Sequence, residues 1–123
     1  MPIRRLDHVN LRTTRLPEMI AWYRDVLGLV EGPRPDFGFP GAWMYAGDHP
    51  IVHLVAVGEE GMGSDGALKL EHFALAADDL DAFRATIREA GIAGREVLIE
   101  DFGLRQINVW DPDGNHIHVD FAA

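Results

Sequence analysis

Hydrophobic and polar positions fall into one pattern that runs along the chain twice. Residues Arg4 to Leu11 alternate, with Val and Ile among them, and predict a strand. From Leu16 the period changes to that of a helix: Leu16, Met19, Ile20, Tyr23 and Leu27 form one stripe, Pro17 suits the first turn and Gly28 the stop. Three short strands are predicted next, near Leu29 to Gly32, Ala42 to Ala46 and Ile51 to Val57. The sequence then starts again. A strand is expected over Ala67 to Ala76 and a helix over Asp79 to Ala90. That helix has Asp78 or Asp79 as its cap, Leu80, Phe83 and Ile87 as its stripe, and Gly91 as its end. Strands near Arg95 to Leu98, Leu104 to Trp110 and Asn115 to Phe121 complete the second copy.

Between the copies, residues 58 to 66 hold four glycines with Ser64 and Asp65, which reads as a linker. One domain, residues 1–123, with modules at about 1–57 and 67–121, is the organisation this implies. The register supports duplication: Leu16 to Leu80 is 64 residues, His8 to His72 is 64, and His53 to His118 is 65. Each half reads βαβββ. Half a sheet of this size cannot cover itself, so the expected fold is α+β, with the two modules pairing into a shared, incompletely closed barrel-like sheet around a central cleft.

Four of the six histidines sit on the repeat. His8 and His72 open their copies, and His53 and His118 lie on the last strands. Imidazoles converging from separate strands hold a borderline divalent metal without thiolate, and the chain has no cysteine. His8, His53, His72 and His118 are therefore the expected metal ligands. His49 and His116 adjoin turns and read as solvated. Asp111-Pro-Asp-Gly-Asn115 predicts a three-residue hairpin loop with Gly114 left-handed, which sets Asn108 opposite His118, Trp110 opposite His116 and Gln106 opposite Asp120. In the first copy, pairing Ala46 with Pro50 sets Trp43 opposite His53. Trp43, Tyr45, Gln106 and Asn108 then share faces with histidines and are the expected substrate contacts.

Composition narrows the partners. Eleven Lys and Arg against 20 Asp and Glu give a net charge of −9, which disfavours nucleic acid and would draw in a cation. No apolar run reaches the ~20 residues of a membrane helix, and the first residues do not read as a signal peptide. A cytoplasmic protein is expected.

These motifs resemble the vicinal-oxygen-chelate superfamily of glyoxalases, bleomycin-resistance proteins and extradiol dioxygenases. Leu6-Asp-His-Val9 is similar to its opening metal strand and Trp22-Tyr-Arg-Asp-Val-Leu-Gly-Leu29 to its first helix. Glu71-His-Phe-Ala-Leu75 is similar to its second metal strand, and Arg105 to Asn115 to its last hairpin. The resemblance implies one divalent ion per site (Zn, Ni, Co, Mn or Fe), a small-molecule substrate chelated through adjacent oxygens, and a homodimer. It also exposes a departure. Enzymes of the family usually carry a metal-binding Glu where this chain has His118, and glyoxalase I has a Glu where it has His53. Four neutral ligands leave the ion its full charge, favouring an anionic oxygen ligand. The missing carboxylate leaves His53, Asp120 or Glu71 as candidate bases. The reading is a metal-dependent lyase, isomerase or dioxygenase. The alternative is a bleomycin-resistance-like protein that sequesters a cationic drug in an acidic cleft. A third, an epoxide-opening resistance transferase, lacks the expected basic cluster.

Overall fold

The structure, a computed structural model, describes residues 5–62 and 70–122. The chain divides into two compact units, Met1–Ser64 and Asp65–Ala123, so the boundary falls inside the glycine-rich linker. The expected beginning of the second copy at Ala67 to Lys69 lies outside the described residues, as do linker residues 63–66.

The first unit runs β1 (Val9–Thr13), α1 (Leu16–Asp25), β2 (Val30–Gly32), β3 (Gly41–Ala46) and β4 (His49–Ala56). The second runs β5 (His72–Ala76), α2 (Leu80–Glu89), β6 (Arg95–Ile99), β7 (Leu104–Trp110) and β8 (His116–Ala122). Single 3-10 turns lie at Glu59–Gly61 and Glu100–Phe102. Each unit is a four-stranded sheet of the same topology: β1-β4-β3-β2 and β5-β8-β7-β6. The first strand pairs in parallel with the last, and the other pairs are antiparallel. The α+β class and the two βαβββ units are thus what the chain forms.

One face of each sheet is apolar. In the first unit Leu11, Ala42, Met44, Val52 and Leu54 are buried, and α1 covers its strands with Met19 and Tyr23, both fully buried. In the second, Ile107, Val109, Ile117, Val119 and Phe121 are buried. Helix α2 meets this face through Ile87 and through Phe83, whose ring lies 5.7 Å from that of Phe121. Asp79 caps α2, its carboxylate accepting from the Ala82 N–H at 3.1 Å. A groove of about 550 Å³ lies on this helix side, lined by Ile87, Gly94 and Ile107 among others; of its charged groups, Arg84 and Glu96 are ion-paired with each other and Arg88 is the third.

Because period-2 alternation sends the apolar residues to the helices, the intervening residues of β4 and β8 point the other way. Those residues include the histidines. The 111–115 turn closes as expected: Gly114 has φ +84, and the Asp111 carboxylate accepts from the backbone N–H groups of Asp113 and Asn115. The predicted pairs Asn108 with His118, Trp110 with His116 and Gln106 with Asp120 all form.

Two expectations shift. Strand β1 begins at Val9, with residues 5–8 outside it, and Arg4 lies outside the described residues. In β4 the partners of Met44 and Tyr45 are Val52 and Pro50, so Ile51 is a bulge, and Pro50 has no N–H to offer. The β1–β4 ladder consequently stops at Val9 with Val52. The β3–β4 turn is also shorter than expected. Ala46 pairs with His49 across the two residues Gly47 and Asp48, and the bulge then restores Trp43 opposite His53.

Candidate metal centre

In the second unit, His72 starts β5 opposite His116 on β8, while His118 lies opposite Ala74. The small Ala74 side chain leaves room for the His118 ring to lean onto His72, and the two stack with centroids 3.9 Å apart and planes 13° apart. His116 crosses both, at 58° to His72 and 68° to His118, with centroids at 5.5 and 4.7 Å. One ligand nitrogen from each of the three lies within 4.8 Å of the others. Three nitrogens on one ion with bonds of about 2.1 Å can be at most about 3.6 Å from one another, so each must close in by up to about 0.7 Å for the three to share one.

The donor set suits a divalent ion. Glu71 Oε2 accepts from His72 Nδ1 at 2.6 Å, so the lone pair of His72 is on Nε2, with a carboxylate behind the ring. That bond also holds the Glu71 carboxyl below its ordinary range. His118 is pushed below the ordinary imidazole value, first by burial and then by the neighbouring His72 and His116, so it is neutral and able to bind metal at neutral pH. Asp120, on the same face, has one carboxylate oxygen buried without a hydrogen-bond partner among the described residues.

The first unit repeats the arrangement with a difference. Asp7 accepts from His8 Nδ1 at 2.7 Å, as Glu71 does from His72. His8 stacks on His53 at 3.8 Å and 10°. Trp43 covers the other face of His53 at 4.1 Å and 12°, leaving His53 8% exposed. Burial lowers the His53 pKa, with His8 adding to it, while its Nε2 donates to the Pro50 carbonyl at 3.1 Å. The stack continues from Trp43 to Phe37 and on to Phe39, both about half exposed, with the Arg34 guanidinium over their rings.

Of the expected ligands, the structure groups His72 with His118 and His8 with His53, each pair within its own unit. Of the expected substrate contacts, Trp43 lies on His53, and Gln106 has no hydrogen-bond partner among the described residues. Tyr45 is committed elsewhere: its ring abuts Gly32 and its hydroxyl donates to the Pro33 carbonyl. Asn108 is 2% exposed, with both amide atoms engaged inside the protein.

His116 was expected to be solvated and is not. Its side chain is 15% exposed, stacked under Trp110 at 4.6 Å and bonded to Asn108. The signal was readable, since His116 is two residues from His118 and so on the same face. His49 is half-buried too, its Nε2 donating to the Asp7 carbonyl at 3.0 Å. The carboxylate preceding each strand-opening histidine, Asp7 and Glu71, is a further repeat in the sequence that spacing alone did not bring out.

No helix among the described residues is long and apolar enough to cross a membrane. Residues 5–119 match the Glyoxalase/Bleomycin resistance protein/Dioxygenase superfamily. The chain is 29% identical over 121 residues to "Glyoxylase I 4" of Arabidopsis thaliana, covering 93% of this chain and 68% of that protein. It is 34% identical over 125 residues to the manganese-dependent 2,3-dihydroxybiphenyl 1,2-dioxygenase of Geobacillus genomosp. 3, covering 92% of this chain but only 38% of the relative. The fold is shared with a putative glyoxalase family protein from Bacillus anthracis, at TM-score 0.79 and 22% identity over 98% of this chain and 97% of that one. With the family's pattern running through both βαβββ units, this chain belongs to the glyoxalase/bleomycin resistance protein/dioxygenase superfamily.

Proposed function

We propose that the chain is a divalent-metal-dependent enzyme acting on a small organic molecule that offers adjacent oxygens to the ion. The observation that carries this is the imidazole cluster of the second unit, with ligand atoms within 4.8 Å and a carboxylate behind His72. His72 and His118 are the ligands of this unit that the repeat predicts, and His8 with His53 are their counterparts in the first. The ion, when bound, supplies Lewis acidity toward a substrate oxygen.

The chain's own residues supply the rest. Glu71 and Asp7 orient their histidines and raise the basicity of the ring nitrogens opposite. Asp120, with a desolvated oxygen lacking a partner, is the carboxylate proposed to take a proton from the substrate, in place of the Glu that His118 displaces. His53, held neutral by burial, is either a ligand or a second base. Trp43 and Gln106 are the proposed substrate contacts. The relative from Geobacillus is named as manganese-dependent, which supports manganese as one candidate ion beside zinc, nickel, cobalt and iron.

Elemental analysis of native protein, His72→Ala, His118→Ala and His8→Ala tests the centre. Expected is about one ion per chain in the native protein and loss in His72→Ala and His118→Ala, with His8→Ala as the comparison from the first unit. A native protein that ignores all five metals overturns the reading. Tight binding of a cationic drug, the same with and without metal, would favour sequestration instead. A homodimer, also proposed, is checked by light scattering at micromolar concentration, where a clean monomer refutes it.

A further inference from the structure

A chain of hydrogen bonds in the second unit has its polarity fixed at one end. The Arg95 backbone carbonyl can only accept, so the Asn108 atom 3.0 Å from it is the amide nitrogen, Nδ2. Asn108 Oδ1 therefore faces His116 Nε2, at 2.8 Å. An amide oxygen cannot donate, so Nε2 carries the imidazole proton. A neutral imidazole has only one, and the lone pair of His116 is left on Nδ1. Asn108 is 2% exposed, which keeps water from offering either group an alternative.

Nδ1 of His116 lies 3.3 Å from Glu71 Oε2, the oxygen already receiving the His72 proton. Two acceptors that close repel each other unless Nδ1 carries a proton or a metal cation, so this side of the ring favours positive charge. An ion lies in the plane of each imidazole that binds it. The nearly parallel, stacked rings of His72 and His118 meet that condition only after one of them turns, whereas the plane of His116 already crosses both. Trp110, stacked on His116 with planes 7° apart, fixes that orientation. In the first unit Ile51 and Trp43 occupy the register positions of His116 and Asn108, and the histidine that meets the Asp7 carboxylate there is His49, at 3.2 Å.

We infer that His116 is the third ligand of the second-unit cluster, presenting Nδ1, and that Asn108 is the positioning residue that holds it in the tautomer this requires. The inference rests on the metal centre proposed above, but half of it is readable without metal. In metal-free, 15N-histidine-labelled protein at about pH 8, above the imidazole range, long-range 15N–1H NMR reports which nitrogen of each ring carries the proton. His116→Phe, which keeps a ring under Trp110, assigns the signal. The expected result is protonated Nε2 and bare Nδ1, with only Nδ1 shifting strongly when Zn2+ is added.

Asn108→Leu should mix the tautomers and weaken Zn2+ binding by roughly 10- to 100-fold, the range for partners that orient a ligand. Asn108→Asp, which keeps an acceptor for Nε2, should retain the tautomer and recover most of the affinity. If the Leu variant does not fold, the Asp variant and His116→Phe still decide. A native Nδ1–H tautomer overturns the positioning role, and native Zn2+ affinity in His116→Phe overturns the ligand role. A native protein that binds no Zn2+ overturns the centre and the ligand role together, while the tautomer stands or falls on the metal-free spectrum alone.

Discussion

Lowering the pH should release metal from this protein along a slope that counts its imidazole ligands. A ligand nitrogen must shed its proton to bind, so below the imidazole range each histidine ligand makes the apparent affinity fall tenfold per pH unit. Three imidazoles lie close enough to share an ion, so log apparent affinity against pH should flatten above about pH 7.5 and approach a slope of three in the acid limit. The size of the fall is bounded. An imidazole at its ordinary pKa of ~6.5 is about tenfold more protonated than free at pH ~5.5, so three such groups set a ceiling near 1000-fold. His118 must fall short of its share, because burial and the two neighbouring rings hold its pKa down. The expected loss between pH ~7.5 and ~5.5 is therefore below about 1000-fold. Competition titrations with a chromophoric chelator at half-unit steps, repeated on His116→Phe, measure it. The variant should approach a slope of two. A limiting slope of one in the native protein, with the fold intact by circular dichroism, would refute the idea of a cluster acting as a single site.

Metal-free protein should lose stability in acid in two windows. The pKa values of His53 and His118 are depressed, so the unfolded chain takes up their protons first: stability is level above about pH 7, falls as pH drops through ~6.5, and flattens only below the native values. Asp7, Glu71 and Glu96 are depressed carboxylates, Glu96 to about 2 beside Arg84, whose contribution is present above the ordinary carboxylate range and lost beneath it. Urea midpoints against pH check both, and His53→Phe should lessen the first fall; an unchanged curve contradicts the burial argument. Met44→Ala removes a fully buried side chain from the centre of the first sheet and should cost ~2–5 kcal/mol in urea unfolding, so a loss well under 1 kcal/mol would mean that α1 does not seal this face. His118→Glu should fold, keep a metal and shift preference from zinc toward manganese, because a carboxylate oxygen is the harder donor; a folded variant with no metal uptake would show that the imidazole itself is required.

The duplication made most of the fold legible. Both helices and both hairpins followed from periodicity, and turn chemistry at Pro112 and Gly114 fixed the β7–β8 pairing residue by residue. The other hairpin was legible only in its result. Its turn is one residue shorter than the sequence suggested, and Ile51 bulges to compensate, so Trp43 still meets His53. A bulge of this kind leaves no trace in an alternation score, because the residues on either side keep their apolar pattern. The start of β1 was hidden for the same reason: Arg4 to His8 alternate, but the partner strand has a bulge and a proline where they would pair. In the site, repeat spacing picked out His8, His53, His72 and His118. It passed over His116, because a histidine beside a turn is usually wet. What buries His116 is the stacked Trp110 and the amide of Asn108, and both are contacts across strands rather than along the sequence.

The two copies keep one plan and diverge at two register positions, and the divergence separates their chemistry. Opposite the last-strand histidine stands Trp43 in the first unit and Asn108 in the second. Opposite the strand-opening histidine stands His116 in the second, where the first has the bulged Ile51. In the first unit this makes an aromatic stack that covers His53, lowers its pKa and leaves a flat, half-exposed aromatic surface ending in Phe37 and Phe39. Burial in this stack holds the His53 imidazole neutral. In the second unit it makes a polar network with the carboxylates Glu71 and Asp120 nearby, and a stacked pair of rings whose planes a third ring crosses. That environment favours a cation and offers a place for a proton. Division of labour between duplicated halves needs no change of fold. It needs only that the second copy place a hydrogen-bonding amide where the first places an indole, because the sheet register brings either one against the same histidine.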